Sequence, residues 1–72
     1  MNTPWRICLS SPPDRVKLVA EIFFGNLQWA ELNQEGQELE LEFYSRKDGQ
    51  PWKIPYTQAV SALEEAKKKL IG

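Results

Sequence analysis

Glu38-Leu39-Glu40-Leu41-Glu42-Phe43 alternates charge and apolar bulk at every step, and only a strand with one buried face sorts such a run into two sides. A helix would scatter its leucines around the axis. One strand cannot stand alone in water, so the rest of the 72-residue chain must supply partners for it. Trp5, Ile7 and Leu9 alternate with Arg6, Cys8 and Ser10 and predict a second strand. Ser11-Pro12-Pro13-Asp14 ends it, because neither proline donates to a ladder and each restrains the residue before it.

Residues 12–24 carry two competing patterns. Ser11 as an N-cap, Pro12 in the first turn and Gly25 past the end would frame a helix, with Val16, Val19, Ala20 and Phe23 at helical spacing. Against this, Leu18, Ala20, Ile22 and Phe24 alternate, and Ile22-Phe23-Phe24 suits a pleated surface better than a helix end. The strand is the preferred reading, with a helix near 12–24 as the alternative. Gly25-Asn26 then signals a hairpin. A two-residue loop would set Phe24 opposite Leu27 and Ile22 opposite Trp29; a three-residue loop with a bulge would pair Ile22 with Ala30 and Ala20 with Leu32. In the second register Val19, Phe23, Leu27 and Trp29 gather on the far face.

Asn33 to Gln37 and Ser45 to Pro51 read as polar breaks, the second holding the turn pair Asp48-Gly49. Trp52 and Ile54, between prolines, are placed to cover the end of a core. Tyr56, Ala59, Val60, Leu63, Ala66 and Leu70 trace one helical stripe, with Glu64 and Glu65 each four residues ahead of Lys68 and Lys69. The sequence thus predicts a single small α+β domain spanning 1–72. Its four-stranded antiparallel meander has strands near 5–10, 17–24, 27–33 and 38–44, and one C-terminal helix near 56–70 packs on one face.

The net charge of -1 hides a divided chain. From Leu18 to Ser45 there are six glutamates and no lysine or arginine, and all nine basic residues lie outside that stretch. Summed charge of this kind steers partners and rejects like-charged ones. Catalytic chemistry has little to work with. There is no histidine to act as base or metal ligand, Cys8 has no evident activating partner, and the four glycines are too dispersed to cradle a phosphate. The reading is therefore non-enzymatic, without metal or cofactor. A lone cysteine, no secretory leader pattern and no run approaching about 18 apolar residues lead to the expectation of a cytoplasmic chain outside the membrane.

Two partner classes remain. In the first, Glu31, Glu38, Glu40 and Glu42 supply an acidic surface and Phe23 and Trp29 a buried anchor. The chain is then a protein-interaction module, meeting either a basic protein surface, as an acidic adaptor or inhibitor, or a second copy of itself as a homodimer. In the second, Arg46, Lys47, Lys53 and Lys67 to Lys69, with Tyr44 and Trp52 interleaved, bind a nucleic acid backbone. An isoelectric point near 5.3 is opposite to the usual nucleic-acid footprint, so the protein-binding reading is preferred. The segments Leu9-Ser10-Ser11-Pro12-Pro13-Asp14, Val19-Ala20-Glu21-Ile22 and Ala62-Leu63-Glu64-Glu65-Ala66-Lys67 resemble a group of short bacterial proteins of unassigned function. That resemblance implies a free-standing small protein and carries no functional residues with it.

Overall fold

Proline-ended alternation and a hairpin signal yield the expected strand order. The computed structural model describes residues 4–72, with β1 over Trp5–Ser10, β2 over Val19–Phe24, β3 over Leu27–Asn33, β4 over Glu40–Phe43 and α1 over Tyr56–Ile71. The strands lie side by side as an antiparallel meander in the order β1-β2-β3-β4. Residues 19–24 are strand, so the helical alternative for 12–24 is set aside. Only a turn survives of it, closed by the Arg15 N–H donating to the Pro12 carbonyl at 3.1 Å.

The β2–β3 hairpin uses both registers that its sequence allows. Phe24 pairs with Leu27 across a two-residue Gly25-Asn26 turn, then the register shifts so that Ile22 faces Ala30 and Ala20 faces Leu32. Gly25 takes φ 65° while Asn26, like every other described non-glycine residue, has no positive φ, which excludes a type I′ turn and matches type II′. Trp29 is the additional residue at the bulge. A bulge of this kind turns its extra side chain toward the face of its neighbour, and Trp29 joins Ala30 on the helix side.

There the core assembles from Ala20, Ile22, Trp29, Ala30 and Leu32 of the sheet with Ala62 and Ala66 of α1. The two alanines let the helix backbone approach the sheet closely. Trp5, Ile7, Leu39, Trp52, Ile54, Ala59, Leu63 and Leu70 close the margin, so Trp52 and Ile54 do cover the end of the core. Four aromatic rings form a row across one end of the sheet: Phe24 on Trp5 at 4.9 Å, Trp5 on Trp29 at 5.2 Å and Trp29 on Phe43 at 5.4 Å.

The helix sits off centre. It packs against β1 and β2, touches β3 and does not approach β4. Leu41 and Phe43, expected to point into the core, lie on the correct face yet remain 41% and 57% exposed, because α1 does not reach the last strand. Among the described residues, no helix is long and apolar enough to cross a membrane.

Candidate functional site

The sheet face away from α1 is where the divided charge becomes geometry. Strand alternation puts Cys8 of β1 beside Glu21 of β2, Glu21 beside Glu31 of β3, and Glu31 beside Glu42 of β4. Three glutamates therefore stand in one cross-strand row, an arrangement that is unfavourable when like charges meet directly. A single cation relieves it. Arg15, from the β1–β2 loop, donates through Nε at 3.1 Å and a terminal nitrogen at 2.9 Å to Glu31 Oε2, and through the same terminal nitrogen at 2.8 Å to Glu42 Oε1. The Tyr44 hydroxyl donates to the other Glu31 oxygen at 3.2 Å. Glu31 is only 5% exposed, and these three donors account for its burial.

The pairings leave their mark on the ionisation of both donors. The hydrogen bond to Glu31 is the main cause holding the Arg15 guanidinium above its ordinary pKa. Burial, with Glu31 and Glu42 adding to it, pushes the Tyr44 phenol up to about 12. A second tie fastens the same loop. Glu35 accepts from the backbone N–H groups of Val16 at 3.2 Å and Lys17 at 3.0 Å, and these bonds hold its carboxyl below the usual range. The acidic segment is thus partly a fastening for residues 11–18.

The expected anchor divides between two faces. Trp29, placed by the sequence with Phe23 on a second apolar face, is 8% exposed inside the main core. Its bulge reversed its side. Phe23 does lie on the open face, opposite Arg6 and Gln28, and the Arg6 guanidinium covers its ring at 4.5 Å. Val19 is fully buried, outside the main cluster, and Leu27 sits at the turn. No continuous apolar second face results. Glu31 is likewise not a solvent-facing residue as the sequence suggested, whereas Glu38, Glu40 and Glu42 are exposed. Among the described residues Glu21, Glu38 and Glu40 form no ion pair.

The basic groups do not converge. Arg46 is engaged by Asp48 through bonds of 3.1 and 2.6 Å and lies 5.6 Å from the Trp52 ring centroid. The backbone N–H of Gln50, followed by Arg46, keeps the Asp48 carboxyl low. Lys67 to Lys69 end a helix whose start adjoins Lys53, about 18 Å away along the axis. No group of three or more side chains able to hold a metal ion comes together among the described residues.

Arg15, Tyr44, Leu41 and Phe43 are the residues that sequence reasoning undervalued. Pairing Glu31 with Glu42 in the meander could have exposed the first of them, since that pair calls for a cation and the nearest loop offers Arg15. Compared with protein-family models, with curated proteins and with solved structures, the chain gives no significant match to any.

Proposed function

We propose that this protein is a non-enzymatic interaction module, an acidic adaptor or inhibitor that docks a basic surface of another protein on the β3–β4 side of its open sheet face. The observation that carries the reading is the row Glu21, Glu31 and Glu42, extended by Glu40 on β4, against which the fold supplies one arginine. Arg15 neutralises part of that field, and Glu40 and Glu42 present the remainder to solvent. Exposed carboxylates of this kind steer a cationic partner into place more than they hold it. A foreign partner is favoured over a second copy because Trp29, the expected anchor of a dimer, is occupied in the core. A cytoplasmic setting belongs to the same reading and rests on the single cysteine.

Parallel titrations with a lysine-rich peptide and a single-stranded oligonucleotide, followed by tryptophan fluorescence at low and near-physiological salt, test it. The peptide is expected to bind with an affinity that falls as salt rises, and Glu40→Lys with Glu42→Lys abolishes the binding. Oligonucleotide binding at near-physiological salt, with none by the peptide, overturns the proposal in favour of the basic-patch reading.

A further inference from the structure

The outer edge of β4 combines three properties. Its backbone is open: the Tyr44 N–H donates to the Trp29 carbonyl at 3.0 Å, and antiparallel alternation then turns Glu40 and Glu42 toward β3 while the N–H and C=O groups of Leu41 and Phe43 point away from the sheet. Its helix-side face is apolar and out of reach of α1, with Leu41 and Phe43 41% and 57% exposed and only the 45–52 segment flanking Phe43. Its opposite face is acidic, through Glu40 and Glu42, and among the described residues only Arg15 forms an ion pair there, with Glu42.

From these we infer that the β4 edge accepts an extended segment of a partner protein as a fifth strand, a segment in which basic and large apolar residues alternate. The inference rests on the interaction-module reading and specifies its partner. Main-chain bonds to Leu41 and Phe43 supply the pairing, as in other sheet-edge recognition. Alternation supplies the selectivity: with a period of two, a strand whose apolar side chains meet Leu41 and Phe43 necessarily presents its other side chains to Glu40 and Glu42. Lysine or arginine satisfies those positions. A second copy does not, because any antiparallel β4–β4 register that matches apolar faces sets glutamate against glutamate, the usual guard against edge-to-edge association.

The probe is a short acetylated peptide alternating lysine and leucine, added to the ¹⁵N-labelled protein. Three further peptides accompany it, one of the same composition with the lysines and leucines in separate blocks, the other two N-methylated at every second residue, one in each alternating set. The alternating peptide is expected to shift the amides of residues 40–43 and to slow hydrogen exchange at Leu41 and Phe43. Methylation of one alternating set, and not of the other, weakens it by about tenfold or more, since only one set faces the edge. Equal binding of the block peptide, or insensitivity to both methylation sets, eliminates the edge and leaves the acidic face standing. Failure of every lysine-bearing peptide to bind at low salt removes both readings. Because the blocked and methylated controls alter only the peptide, loss of binding cannot be a folding defect.

Discussion

Arg15 and Glu31, 16 residues apart, are joined by two hydrogen bonds of 3.1 and 2.9 Å that lay the β1–β2 loop across the open face of the sheet. Glu31 is the buried member, and its removal strands two donors, the Arg15 guanidinium and the Tyr44 hydroxyl. Glu31→Ala is expected to destabilise the fold modestly, because the half-buried Arg15 and Tyr44 donors lose their shared acceptor but can still reach water. Arg15→Met is also expected to destabilise, but much less in a Glu31→Met background, where no carboxylate is left without its partner. Urea unfolding of the four proteins in this cycle measures the coupling; additive effects would show that the pair is a bystander.

Trp29 separates core from interface by its effect on stability. It touches Trp5 and Phe43 and is nearly inaccessible, so Trp29→Ala is expected to lose about 3 to 5 kcal/mol. A domain of this size has roughly 3 to 5 kcal/mol in all, and the variant should be largely unfolded by circular dichroism at room temperature. Trp29→Phe, which keeps an aromatic ring in the row, is expected to remain folded. A fully folded Trp29→Ala would return the residue to the surface.

Acid should loosen the 11–18 loop through Glu35. Backbone N–H groups of Val16 and Lys17 hold its folded pKa below the ordinary value of about 4.3. As pH falls through that range the unfolded chain binds the proton first. The contribution of Glu35 is therefore complete above the ordinary carboxylate range and is lost as pH drops through the lowered folded value. Glu35→Gln should flatten the decline in stability as pH falls below the ordinary carboxylate range, read as the urea midpoint at a series of pH values. An unchanged slope would mean that these bonds break in solution.

Alkali acts on Tyr44 with the opposite sign. Its phenol is raised to about 12 by burial and the neighbouring carboxylates, above the unfolded value of about 10. Stability linked to it is complete below the unfolded value and lost as pH rises through the folded one. Ultraviolet titration of phenolate should show a late phase near 12 that Tyr44→Phe removes. A wild-type titration without that phase would place the hydroxyl in open solvent.

Much of the architecture was legible because most elements carry a strong local period, β2 with its competing helical spacing being the exception. The run Glu38 to Phe43 and the stripe from Tyr56 to Leu70 admit few alternatives, and the prolines at 12 and 13 fix where β1 ends. Register was less legible, since Gly25-Asn26 permits two loops and the chain uses one at the turn and the other beyond the bulge. That single inserted residue sends Trp29 to the helix side, and no periodicity reports it. The lateral position of α1 was also hidden. Its apolar stripe shows which side of the helix is buried, but not that Ala62 and Ala66 settle over β1 and β2 and leave Leu41 and Phe43 bare. Charge segregation was visible from the outset, whereas the use of Glu31 and Glu35 as loop fastenings depends on contacts between distant segments.

Glu40 and Glu42 also guard the edge they occupy. Leu41 and Phe43 offer apolar contact and unpaired backbone on β4, the combination that usually drives association between sheet edges. Charge is what opposes it, for two such edges bring like carboxylates together at close cross-strand spacing. Replacing both residues by glutamine removes the repulsion, preserves side-chain size and leaves an acceptor for Arg15. The Glu40→Gln, Glu42→Gln double variant is therefore expected to sediment as a growing dimer fraction across a concentration series in which the wild type stays monomeric. Adding Leu41→Pro should reverse this, because proline at an outward-facing edge position removes the pairing N–H without breaking a bond to β3. If the double variant sediments as the wild type does, the carboxylates are not what keeps the edge apart.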